Sequence, residues 1–184
     1  MEKEINLRII AGKHRSRVLK EFNGQEIRPT TDRVKESLFN ILQNNIIDST
    51  VLDLFCGSGN LGIEAISRGA KSVVFVDNSK KSIELCKNNL SLLKEDGKIV
   101  LSDSINYLRR YDEKFDVIFL DPPYKGDIGI EALKIIGSKQ LLSEYGVAIF
   151  ESDRFFDDEI IGLEKFNERK YGFVHLTFYS NKQI

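Results

Sequence analysis

The pattern that most narrows the fold is an alternation of short apolar runs with amphipathic stretches. Val51–Phe55, Ser72–Val76, Ile99–Leu101, Phe115–Leu120 and Gly146–Phe150 read as strands. Between them, Leu61–Arg68, Lys80–Leu92, Ile105–Arg109 and Ile128–Ile136 carry apolar residues at helical spacing. Strands separated by helices join by right-handed crossovers, so the chain is expected to be α/β, with a central, mostly parallel, Rossmann-like sheet and helices on both faces. Phe173–Tyr179 alternates apolar and polar residues, as a half-exposed, antiparallel last strand would. Ahead of this core, Leu7–Ala11 and Ser16–Lys20 read as a small hairpin about a basic turn at Gly12–Arg15. Pro29 then biases Arg28 away from helix, and Thr31 or Asp32 caps a helix through Val34, Leu38, Ile41 and Leu42.

A chain of 184 residues with 41% hydrophobic and 30% charged content suits one domain, with residues 1–48 as a basic extension and 49–184 as the core. No apolar run approaches the roughly 20 residues that span a bilayer, and the first residues lack a signal core, so a cytoplasmic protein is expected. Two cysteines and two histidines, all dispersed, give neither a disulfide frame nor a metal-ligand spacing. No heptad or long apolar stripe appears, and a monomer is expected. The net charge of −1 hides an uneven split. Residues 8–35 hold eight basic and three acidic side chains, leaving 19 basic and 25 acidic elsewhere. A local basic segment on a neutral chain fits contact with a polyanion, and equally a solvated edge.

The turn after the first core strand carries Asp53, Phe55, Gly57, Gly59 and Gly62, and Asp77 ends the next strand. Glycines let backbone approach a ligand closely, and an acid at the second strand end can accept ribose hydroxyl protons, so this is a nucleotide-ribose site. A dinucleotide would place its pyrophosphate at the helix start. Asp53 would repel that pyrophosphate and suits a cationic ligand instead, which favours S-adenosylmethionine with its sulfonium and amino-acid end. The Asp53-x-Phe55-x-Gly57-x-Gly59 pattern resembles the first motif of class I methyltransferases. Asp103, after the third strand, falls where that fold contacts the adenine amino group.

Asp121-Pro122-Pro123-Tyr124 ends the strand FDVIFL at the carboxyl edge, where open α/β sheets bind ligands. Two prolines remove two N–H donors and leave the Asp121 carboxylate and the Pro122 carbonyl as acceptors. Two acceptors gripping an exocyclic amine favour pyramidal nitrogen and free its lone pair for attack on a methyl group. Asp121 can take the proton released, and Tyr124 offers a face for a flipped-out base. The tetrapeptide resembles the signature of amino-methyltransferases.

Arg8-Ile9-Ile10-Ala11-Gly12-Lys13, the run from Arg28-Pro29-Thr30 to Glu36, Asp53–Gly62, Asp121–Tyr124 and Lys170-Tyr171-Gly172 together resemble the bacterial small-subunit rRNA guanine-N2 methyltransferases over nearly the whole chain. The resemblance implies a class I methyltransferase fold and methyl transfer from S-adenosylmethionine to a guanine N2 of 16S rRNA, in the small subunit or its precursor, with no metal. It implies that Asp77 holds the ribose, Asp103 the adenine, and Asp53 with Gly57 and Gly59 the methionine side. Asp121, Pro122, Pro123 and Tyr124 would hold the target guanine. The family often has Glu at the place of Asp77 and Ala or Ser at that of Cys56. Glu151, after the last parallel strand, is a further pocket candidate.

Lys13, Arg15, Arg17 and Lys20 on the hairpin can neutralise phosphates, and Arg28, Thr30 and Arg33 flank the turn before the first helix. The chain has no room for the separate target-reading module of DNA amino-methyltransferases, which favours a folded RNA. The rival readings are an adenine-N6 methyltransferase, a protein glutamine methyltransferase, a nicotinamide oxidoreductase and a non-catalytic rRNA assembly factor.

Overall fold

The structure is a computed structural model that describes residues 7–22, 32–123 and 127–182. Its elements run α1 (Asp32–Ile41), α2 (Gln43–Ile46), β1 (Thr50–Asp53), α3 (Asn60–Ser67), β2 (Ser72–Asp77), α4 (Lys80–Leu93) and β3 (Lys98–Leu101). They continue α5 (Ser104–Arg110), β4 (Phe115–Leu120), α6 (Ile128–Ser138), β5 (Leu142–Ser152), β6 (Leu163–Tyr171) and β7 (Val174–Asn181). The strands form one seven-stranded sheet in the order β3-β2-β1-β4-β5-β7-β6. β3 through β5 pair in parallel, and β7 inserts antiparallel between β5 and β6. The order reverses between β1 and β4, which is where an open α/β sheet splits to admit a ligand.

Two differences from the sequence expectation have physical causes. Leu7–Ala11 and Ser16–Lys20 pair as a short hairpin rather than as two full strands, with one bridge from Arg8 to Val18 and the Ile9, Ser16 and Leu19 N–H groups donating to the Arg17, Ile9 and Leu7 carbonyls at 2.9, 2.8 and 2.8 Å. The backbone at its turn is engaged by α3 instead. Ile10 and Ala11 donate to the Glu64 carboxylate at 2.9 and 3.0 Å, and Lys13 donates to the Ser67 carbonyl at 2.8 Å. Second, β6 was not expected, because only Leu163 in it is buried and the rest is a charged surface. Such a strand is the edge of the sheet, where charge protects unpaired backbone.

Apolar side chains cover both faces. Phe39, Phe75, Phe119 and Phe178 lie on the face covered by α1, α3 and the N-terminal segment, and all are fully buried. Leu52, Ile118 and Ala148 line the other, packed against α5 and against Leu133 of α6. Each large side chain so buried contributes about 1.5–3 kcal/mol.

The N-terminal segment is held by an ionic hub. Glu64, fully buried on α3, accepts the Ile10 and Ala11 N–H groups, the Arg68 Nε at 2.8 Å and the Lys35 ammonium at 3.2 Å. Lys35 also donates to the Asn60 amide oxygen at 2.8 Å and the Arg8 carbonyl at 2.5 Å. A buried carboxylate is tolerable because every donor it needs is present. Lys35, which looks in sequence like one more cation of a basic patch, is therefore a structural tie between α1 and the start of α3.

Candidate active site

Strand register brings four acids to one face at the carboxyl edge of the sheet. Asp53 pairs with Phe75 on β2 and with Phe119 on β4, so Asp77 and Asp121, each two residues further, project to the same side. Leu120 pairs with Phe150, which sets Asp121 beside Glu151. Asp53 and Glu151 are buried, and Asp121 is half-buried. Burial raises the Asp53 pKa to about 7, opposed by the Gly62 N–H that it accepts at 2.9 Å and helped by the charge of Asp77. Desolvation first, then the charges of Glu151 and Asp53, push the Asp121 carboxyl well above the usual carboxylate range. Carboxylates crowded into such a corner favour a cationic guest, which lowers the energy of all of them at once.

The glycine loop is built for close approach. Gly57 has φ +52 and open space where a side chain would project. Gly59 has φ +83 and opens α3 in the left-handed region, where a Cβ would sit 2.8 Å from the Cys86 sulfur. Gly62 lets α3 press on the sheet, since a Cβ there would fall 2.3 Å from the Phe75 ring. Asp77 braces the loop, accepting Gly57 N–H at 2.9 Å and Ser79 N–H at 2.8 Å. Each of its oxygens keeps a lone pair for a ribose hydroxyl. Phe55 is half-buried against the second core face. Asp103 caps α5 through the Asn106 N–H at 2.9 Å and is half-exposed at the end of β3. These groups fit S-adenosylmethionine, with acids for its cationic end and ribose and open backbone between. The Cys56 thiol is pushed far up by its hydrogen bond with Cys86 and by burial, so it stays protonated and is no nucleophile.

Pro122 is buried and Pro123 exposed, and with Glu151 they edge a small cavity that also meets Phe150 and Phe156. Tyr124, Arg28 and Thr30 lie outside the described residues.

The cations are distributed less evenly than the sequence implies. Lys13 is at the far end of α3, with its ammonium 2.7 Å from Glu95, which His14 also contacts at 2.6 Å. An eight-residue helix is about 12 Å long, so the Gly12–Arg15 turn sits that far from the edge that holds Asp121. Arg15 and Arg17 are exposed on the same loop. Lys20 returns toward the glycine loop. Asn89, fully buried on α4, accepts its N–H at 2.8 Å and donates to its carbonyl and to that of Ser58, at 3.1 and 3.0 Å. Arg33 is exposed at the start of α1 and shares a groove of about 370 Å³ with Lys170, Tyr171 and Gly172 of the β6–β7 turn. The Tyr171 and Ser37 hydroxyls join across it. Sequence reasoning passed over Lys170 as part of this surface, because only the β6 pairing, itself unexpected, brings it near Arg33.

Residues 7–180 match the model of the family described as conserved hypothetical protein 95. The chain belongs to that family. A relative from Haemophilus influenzae, named ribosomal RNA small subunit methyltransferase D, is 37% identical over 95% of this chain and 94% of its own length. A solved Escherichia coli chain, provisionally described as methyltransferase yhhF, superposes with a TM-score of 0.87 at 30% identity, over 96% of this chain and 98% of that one. A T. thermophilus 16S rRNA N2 methyltransferase, solved with AdoMet and guanosine, shares the fold with a TM-score of 0.71 at 22% identity, over 88% of this chain and 45% of that one. The seven-stranded sheet with its antiparallel β7 is the class I methyltransferase fold.

Proposed function

We propose that this chain transfers the methyl group of S-adenosylmethionine to the exocyclic N2 of a guanine in 16S rRNA, on the small ribosomal subunit or its assembly precursor. The observation that carries the reading is Asp121, placed between Asp53 and Glu151 at the end of β4 and followed by two prolines that offer no N–H donor. The rRNA part rests on the name of the H. influenzae relative and on the exposed cations of the N-terminal loop and of α1.

When bound, the cofactor supplies an electrophilic methyl group on a cationic sulfur. Asp53, Gly57 and Gly59 hold its methionine side, Asp77 its ribose and Asp103 its adenine. The Asp121 carboxylate and the Pro122 carbonyl accept the two hydrogens of the target amine. This draws the nitrogen out of conjugation and aims its lone pair along the line of transfer. Asp121 then takes the proton that the methylated nitrogen sheds. Tyr124 stacks on the flipped base. Arg17, Lys20 and Arg33 contact phosphates, and residues 1–48 present the RNA to a core formed by residues 49–184. The protein acts as a monomer in the cytoplasm.

The test is transfer of labelled methyl to undermethylated small subunits, followed by nucleoside analysis. Label in N2-methylguanosine supports the reading. Label in N6-methyladenosine overturns the choice of base, and absence of label on subunits and naked rRNA overturns the substrate.

A further inference from the structure

Asp121 accounts for an amine, and an amine alone does not tell guanine from adenine. The neighbouring strand holds a second acceptor. Glu151 follows Phe150, the register partner of Leu120, so Glu151 and Asp121 leave adjacent parallel strands at the same level. Their Cα atoms are therefore about one strand spacing apart, roughly 4.8 Å. Both side chains lie on the face of Phe119 and Ile149. Glu151 is 5% exposed and sits beside Asp121 at the carboxyl edge of the sheet. A glutamate is one methylene longer than an aspartate, so the two carboxyl groups reach different depths in the same corner.

Guanine and adenine differ on the edge that meets such a pair. Guanine presents N1–H and N2–H side by side, two donors in one direction. Adenine presents its amino donor beside N1, a bare lone pair. We infer that Glu151 accepts the guanine N1–H while Asp121 accepts the N2–H, so that two acceptors on neighbouring strands select guanine. Adenine in the same position would set its N1 lone pair against the Glu151 carboxylate with no proton between them. Inference and proposed function share the site, and the inference rests on guanine being the target.

The experiment measures equilibrium binding of guanosine and of 2-aminopurine riboside to the full chain saturated with S-adenosylhomocysteine. 2-Aminopurine riboside keeps the 2-amino group and replaces N1–H by a lone pair. The wild type is expected to bind guanosine at least about tenfold more tightly, since a site built to accept an N–H discriminates strongly against its loss. Glu151→Gln can turn its amide to donate to N1, and the preference should fall to within about twofold. In the same variant, methyl transfer to subunits should fall about tenfold or more, with an unchanged melting temperature and unchanged affinity for S-adenosylhomocysteine. Equal binding of the two nucleosides by the wild type, or a preference that survives Glu151→Gln, overturns the assignment while leaving guanine methylation standing. Label in N6-methyladenosine on subunits overturns the guanine reading itself, and this one with it.

Discussion

Asp53, Asp121 and Glu151 place three carboxyl groups in one corner of the sheet edge, and with no cation present that corner works against the fold. Asp53 has its pKa raised by burial to about 7, so the folded chain holds this proton more tightly than the unfolded chain does. The sign follows: stability falls as pH rises from the ordinary carboxylate range to about 7, and stays reduced above it. Asp53→Asn keeps an acceptor for the Gly62 N–H and removes the charge. It should stabilise the apo protein by roughly 1–3 kcal/mol at pH 8, and by little at pH 4, in thermal melts. The same variant should lose affinity for S-adenosylmethionine in a binding titration. Asp121 carries a raised pKa by the same cause, with Glu151 and Asp53 adding repulsion. In the proposed reaction its working form is the carboxylate, so the acid limb of kcat/KM should lie well above the usual carboxylate range. Glu151→Gln should move that limb toward acid, because it removes a negative neighbour. At this scale the sequence singles out Asp53, Asp77 and Asp121 by their places at strand ends, and strand register brings the three to one edge. Glu151 was only an isolated acid, and it took the pairing of Leu120 with Phe150 to put it beside Asp121.

At the scale of elements, the glycine loop and the Glu64 hub set how tightly α3 can serve the site. Gly59→Ala would introduce a Cβ at φ +83 and within 2.8 Å of the Cys86 sulfur. It should lower stability by about 1–3 kcal/mol in denaturant unfolding and weaken cofactor binding together with it, since the same backbone forms both. Lys35→Met removes the ammonium that joins Glu64, Asn60 and the Arg8 carbonyl, and leaves the buried carboxylate with one cation fewer. The expected loss is about 3–5 kcal/mol, with the N-terminal segment released first in hydrogen exchange. The helices and parallel strands were readable because each carries its period in a run of apolar residues, and Phe115–Leu120 appears with the ends its sequence implies. The N-terminal hairpin pairs as its alternation implies, but alternation says nothing about which partner takes the N–H groups of Ile10 and Ala11. Here a buried glutamate more than fifty residues away takes them.

Across the whole molecule, charge is arranged in two places rather than one. The Gly12–Arg15 turn lies at the far end of α3, with Lys13 committed to Glu95. Arg33 and Lys170 instead flank the groove between α1 and the β6–β7 turn, and among the described residues neither has a carboxylate partner. The start of β7 is paired with Ser152 at the end of β5, so this groove is on the same edge as Asp121 and Glu151. Replacing Arg33 and Lys170 together by alanine should weaken subunit binding. It should also reduce the slope of log affinity against log salt by about 1–2, read from binding titrations at several salt concentrations. Lys13→Ala should change that slope less, because its charge already has a partner. Sequence gave the excess of cations near the N-terminus but not their division, which depends on contacts between residues 7–20 and the far ends of α3 and α4. The account as a whole stands on Asp121 as the acceptor that prepares the amine. The direct measurement is the single-turnover rate of methyl transfer with subunits and S-adenosylmethionine both saturating, for the wild type and for Asp121→Asn. The rate should fall by about 10²-fold or more, with cofactor and subunit affinities within about twofold of the wild type. A variant that transfers within a few-fold of the wild-type rate would contradict the account.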